Sequence, residues 1–120
     1  MDVRNINQVP AFVTKDGSEI RELLAHRNSS IEKQSLAEAR LAPGLSTTPH
    51  FHRRTEEIYY ILQGQGLMQI GDLIRAVGPG DAIAIPPLAT HQITNSGSES
   101  LVFLCCCAPA YEHDDTVLVG

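Results

Sequence analysis

Three histidines and a pair of glutamates carry the chemistry that the residue types of this chain allow. His50 and His52 form an H-x-H pair just after a Pro43-Gly44 turn. Residues two apart on a strand face the same side, so both imidazoles can converge on one point. Glu56 and Glu57 open a strongly β-forming run, and His91 lies thirty-nine residues after His52. Imidazole nitrogens together with one carboxylate suit a divalent transition metal. An H-x-H pair alone is weak evidence, because such pairs are commonly satisfied or exposed without an ion. The glutamate at strand spacing and the third histidine strengthen it, while spacing alone leaves convergence in space open.

The elements that must position these residues are short strands. From Glu32 onward the runs SLAEARL, EEIYYIL, GLMQIG, LIRAV, DAIAI, HQITN and ESLVFLCCC are apolar or alternating. Turn residues such as Gly64-Gln65-Gly66, Gly71-Asp72 and Gly78-Pro79-Gly80-Asp81 separate them. Many short strands at this spacing predict an all-β sandwich or barrel over residues 31–120. Residues 1–30 read differently, as an N-terminal extension packing on the barrel or on a dimer partner. There an Asp16-Gly17-Ser18-Glu19 turn precedes Ile20, Leu23 and Leu24 at i, i+3, i+4, which predicts a short amphipathic helix. His26 at its end reads as a surface residue. Strand parity places Glu57, Tyr59 and Ile61 on one face, and His91, Ile93 and Asn95 on another.

Composition narrows the function classes. At 120 residues and 13.1 kDa the chain fits one domain. Nine Lys and Arg against fourteen Asp and Glu give a formal charge of −5, which argues against nucleic-acid partners. No apolar run reaches the roughly 18 residues of a spanning helix, and MDVRNINQVPAF lacks the order of a signal peptide. Cys105, Cys106 and Cys107 are consecutive and odd in number, so no disulfide framework is available. They read as small hydrophobes in a buried strand, with a thiolate metal site as the alternative. A reducing compartment, hence the cytoplasm, is the expectation. Arg53 and Arg54 read either as solvated loop charges or as a steering pair for an anionic substrate. Gln69 and Gln92 are polar positions without an assigned role. Glu112-His113-Asp114-Asp115 reads as an exposed acidic turn, with a cap over a barrel or a dimer contact as the alternative.

The segment GLSTTPHFHRRTEEIYYILQG resembles the first cupin motif, through Gly44, His50, His52, Glu57 and Gly64. The segment GDAIAIPPLATHQITN resembles the second, through Gly80, Pro86, His91 and Asn95. Together with a short spacer they cover Gly44 to Asn95, and both termini are similar to those of small single-domain cupins of the mannose-6-phosphate-isomerase-like type. The second motif departs from the pattern at Leu88, where glycine is usual, so a turn that draws on glycine's conformational freedom is expected to be made differently. The resemblance implies a double-stranded β-helix, or jelly-roll, barrel holding one divalent transition metal (Mn, Fe, Ni or Zn) through His50, His52, Glu57 and His91. It also implies open coordination positions for a small polar organic substrate. Oxygenation, decarboxylation and isomerisation are the reaction types the resemblance implies, with Glu57 as ligand and proton shuttle. Tyr59, which shares the Glu57 face by parity, reads either as a donor to substrate or as a core tyrosine with a satisfied hydroxyl. A non-catalytic module that binds a small ligand or stores the metal, and a purely structural barrel, are the competing readings. Exposed sheet edges predict a homodimer.

Overall fold

A computed structural model describes all residues from Met1 to Gly120. The backbone is almost entirely strand: β1 (Phe12–Val13), β2 (Glu19–Leu24), β3 (Ser35–Leu41), β4 (His50–His52), β5 (Glu56–Gln63) and β6 (Gly66–Ile70). These are followed by β7 (Leu73–Val77), β8 (Ala82–Ile85), β9 (His91–Asn95), β10 (Leu101–Ala108) and β11 (Thr116–Leu118). They form two antiparallel sheets, one ordered β1-β2-β3-β10-β5-β8 and the other β11-β4-β9-β6-β7. The inner faces of both contribute to a single core, with Ile61, Leu101 and Phe103 from the first packed with Met68, Val77 and Ile93 from the second. This is an all-β arrangement of the kind the strand pattern predicts, and it is the jelly-roll barrel that the cupin resemblance implies. No helix is long and apolar enough to cross a membrane.

Period-two alternation decides which side chains enter the barrel. Along β5, Glu57, Tyr59 and Ile61 are buried while Glu56, Ile58, Tyr60 and Leu62 are exposed. Along β9, His91, Ile93 and Asn95 are buried, as strand parity requires. Cys105 and Cys107 on β10 likewise point inward and Cys106 outward; all three are free thiols. At the β5–β6 hairpin Gly64 adopts φ +88°, and a Cβ there would meet Ser100 O at 2.8 Å. Only glycine fits that turn.

The short N-terminal helix is not formed. The only helical turns are single 3-10 turns at Ile6–Gln8 and His113–Asp115, and residues 19–24 are strand β2, paired antiparallel with β3. The register shifts between Glu22 and Leu24, so a bulge inserts Leu23 into the strand. That extra residue breaks the alternation of Ile20, Glu22 and Leu24 and produces the i, i+3, i+4 spacing of a helix. Sheet pairing decides the conformation over local periodicity.

The turn before His91 also differs from expectation. Leu88 itself takes the left-handed conformation, at φ +70°, and its N–H donates to His52 O at 2.7 Å. A leucine there costs about 1–2 kcal/mol of backbone strain, which the bond to His52 and the flanking strands hold in place. Leu88 is the only non-glycine residue with positive φ, and it stands beside the histidine cluster.

Candidate metal centre

Cross-strand register brings the polar residues together. His50 on β4 pairs with His91 on β9, and His52 pairs with Thr116 on β11. From the opposite sheet, Glu57 on β5 pairs with Cys107 on β10. The histidines and the glutamate therefore meet across the barrel interior. All four are nearly inaccessible, with 1–6% of their surface exposed.

Each imidazole is fixed by a bond from its outer nitrogen. His50 Nδ1 donates to Thr48 O at 2.7 Å and His91 Nδ1 donates to Ala89 O at 2.9 Å. Thr116 Oγ1 donates its single proton to Glu112 O, so it accepts from His52 Nδ1 at 3.1 Å. Carbonyl and hydroxyl partners of this kind set the tautomer and leave the Nε2 lone pairs facing inward. One potential ligand nitrogen from each ring lies within 4.8 Å of the others. Glu57 Oε1 lies 3.3 Å from His52 Nε2 and 3.6 Å from His91 Nε2. Cys107 Sγ donates to the other oxygen, Oε2, at 3.2 Å. Glu57 Oε1 and the Nε2 atoms of His52 and His91 are buried without any hydrogen-bond partner.

Three lone-pair atoms facing one another in a buried space repel unless a cation or protons lie between them. The set of imidazoles with one carboxylate matches the donor preference of a divalent transition ion, and every ring carries the outer hydrogen bond that such ligands need. The residues present fit the group.

The electrostatics agree. Burial pushes the Glu57 carboxyl up, yet the imidazoles of His52 and His91 outweigh it and hold the group down at about 2. His50 is pulled below the ordinary imidazole range, first by burial and then by His91, with Asp16 opposing. Both shifts favour neutral imidazole and ionised carboxylate, the forms that bind metal. They also fix a sign. A depressed histidine destabilises the metal-free fold as pH falls below 6.5, and Glu57 adds a further loss as pH falls from 4.5 toward 2. Tyr59 is pushed well up by burial and then by Glu57, so its phenol stays protonated. Its ring lies against Phe103 at 4.6 Å and edge-on to His91 at 5.9 Å.

The strands that carry the cluster lie within or beside a segment matched by a family model. Residues 37–107, more than half of the chain, match the Cupin domain family. The chain belongs to the cupin family. An uncharacterized protein of Methanocaldococcus jannaschii is 46% identical to this cupin over 113 residues, 94% of this chain and 90% of the relative. An oxalate-binding protein of Thermotoga maritima is 31% identical over 86 residues, 72% of this chain and 71% of the relative. Among solved structures, the polyketide cyclase RemF from Streptomyces resistomycificus superposes with a TM-score of 0.85 at 25% identity, covering 100% of this chain and 86% of that one.

A pocket opens from the cupin cluster toward the N-terminal strands, walled by Phe12, Ile20, Tyr59, Phe103 and Tyr111. Neither Arg53 nor Arg54 lines it; both are exposed, and Arg54 reaches Asp115 instead. Gln92 donates to Thr47 O and Gln69 to Gly71 O, so both serve the backbone rather than the site. The tail is not a wholly exposed acidic turn, because Asp115 is 3% exposed. It accepts from the N–H groups of Arg54 and Thr55 and closes the connection between β4 and β5. Two further residues escape sequence reading. Cys107 orients Glu57 through a bond that depends on β5–β10 register. Asp16, in the β1–β2 turn, places Oδ2 3.6 Å from His50 Nε2. The Asp-Gly-Ser triplet signals a turn, but nothing in the sequence says which strand that turn lies against.

Proposed function

We propose that this cupin binds one divalent transition metal ion through His50, His52, Glu57 and His91 and uses it to act enzymatically on a small polar organic molecule. One observation carries the reading: three buried donor atoms, on His52, His91 and Glu57, face one another with no partner in the protein. A divalent ion bound there supplies a Lewis acid with open positions for substrate oxygens. The chain's own groups do the rest. Thr48, Ala89 and Thr116 hold the rings, Cys107 turns Glu57 Oε1 inward, and Tyr59 offers a phenolic proton at the pocket wall. Glu57, a ligand in this proposal, is also the group assigned to carry a proton between substrate positions. Aromatic and aliphatic walls exclude water from the reacting molecule. The relative from Thermotoga named for oxalate binding favours a second reading, in which the loaded site captures a ligand without turning it over. The three free cysteines suit a reducing compartment such as the cytoplasm.

Metal analysis of the protein as isolated tests the proposal. Close to one transition-metal ion per chain is expected, with removal by a chelator lowering the unfolding temperature as loss of a native-state ligand must. Protein that carries no metal and takes up none overturns it. Oxygen-uptake and isomerisation assays on the loaded protein then separate turnover from capture.

We also propose a homodimer, with residues 1–30 contributing to the contact. Support comes from edge strand β1, with exposed Phe12 and Val13, and from Ile58, Tyr60 and Leu62 exposed on the outer face of β5. Sedimentation at micromolar concentration is expected to give a dimer, and a monomer would overturn this.

A further inference from the structure

We infer that Asp16 makes the site of this cupin select against anionic ligands, so that its substrate belongs to the class of uncharged small polar molecules. The inference rests on the proposed metal site and names the substrate class for it. Asp16 belongs to a turn that is tightly held against the barrel. Its Oδ1 accepts from Ser18 N at 2.9 Å and from Ser18 Oγ at 2.7 Å. Its backbone carbonyl accepts from Thr48 N at 2.7 Å, two residues before His50. One carboxylate oxygen is thereby tied, and the other, Oδ2, is directed at the His50 ring on the pocket side.

This second carboxylate changes the charge of the site. A divalent ion with Glu57 alone leaves a net charge of +1, and counting Asp16 brings it to zero. No lysine or arginine lines the pocket to restore a positive field. Lys15 is tied to Thr116 O at 2.7 Å, and the Arg27 guanidinium is committed to the carboxylates of Glu22 and Glu112. Glu22, itself a pocket residue, is thus already paired. A dicarboxylate or phosphate entering the open positions would add its charge to a site that Asp16 and Glu57 have already brought to neutrality, in a poorly solvated space with no lysine or arginine to offset it. A neutral oxygen ligand meets no such penalty, and Phe12, Ile20, Tyr59, Phe103 and Tyr111 offer it apolar walls.

The test uses the full chain loaded with Co²⁺, whose visible absorption reports occupancy of the open positions. Oxalate serves as the anionic probe and imidazole as the neutral one. Asp16→Asn is expected to tighten oxalate at least tenfold while leaving imidazole within about twofold of wild type and the cobalt stoichiometry unchanged. Unchanged oxalate affinity overturns the inference. Equal tightening of both probes also overturns it, because Asp16 would then be occupying a coordination position rather than filtering charge. Should Asp16→Asn fail to fold, Asp16→Ser keeps an oxygen acceptor near Ser18 and carries the same expectations. A wild-type protein that takes up no cobalt overturns the metal site and this inference together, whereas uptake with an unresponsive Asp16→Asn overturns the inference alone.

Discussion

His91→Ala is expected to lower the affinity of the proposed site for a divalent metal by about a hundredfold or more and to leave the barrel folded. Loss of a hydrogen-bonded neighbour of a metal ligand costs roughly 10–100-fold, and loss of a ligand itself costs more. The fold survives because β9 is held by backbone pairing with β6 over five residues, Gly66↔Asn95 to Ile70↔His91, none of which needs the imidazole. What the variant gives up structurally is a buried ring and its bond to Ala89 O, about 2 kcal/mol. It also removes one neighbour that pulls His50 down, so the His50 imidazole moves back up and takes a proton more readily. Competition with a calibrated chelator, followed by thermal unfolding of the metal-free protein, reads both effects. Wild-type affinity in the variant would remove His91 from the ligand set. Global unfolding of metal-free wild type would make the ion structural rather than functional.

The parts of this architecture legible in the sequence are those written in local pattern. Parity shows that Glu57, Tyr59 and Ile61 share one face of β5 and that His91, Ile93 and Asn95 share one face of β9. EEIYYIL is apolar on both sides, however, so which face turns inward follows only once Glu57 is taken to point into the barrel. His50 and His52 share a face for the same reason. The cupin motifs then supply what parity cannot, namely that these separate strands converge. The parts that stayed illegible depend on contacts between distant segments. A single bulge at Leu23 gives a strand the spacing of a helix, and only pairing with β3 exposes the difference. Asp16 meets His50, and Cys107 meets Glu57, through sheet geometry that no local window contains. Leu88 is the converse case. The missing glycine suggests a remade turn, yet the fold keeps the turn and accepts the strain, because the backbone bond to His52 depends on it.

Asp115 stands at another of these distant contacts, and Asp115→Ala is expected to cost about 2–3 kcal/mol of stability and to weaken the metal site about tenfold. The residue sits beneath the connection Arg53–Thr55, whose two ends carry His52 and Glu57 into the site. Its Oδ1 accepts from Arg54 N at 3.1 Å and its Oδ2 from Thr55 N at 3.2 Å, while its own carbonyl accepts from Arg53 N at 3.1 Å. Burial pushes its carboxyl up, but the bonds from Thr55 and Arg54 outweigh this and leave it below the usual carboxylate range. Truncation leaves donors unsatisfied in a closed turn, and bonds to an ionised group are worth about 1.5–3 kcal/mol. The ion pair with the exposed Arg54 guanidinium adds little to this, since solvent screens it. The effect on metal follows from position rather than charge. A loosened connection lets Glu57 move relative to His52, and Thr116, the next residue after Asp115, holds His52 Nδ1. Asp115→Asn keeps one oxygen acceptor and is expected to lose about half as much. Urea unfolding gives the stability and chelator competition gives the affinity. A stability loss with unchanged affinity would show that the turn supports the barrel without positioning the site.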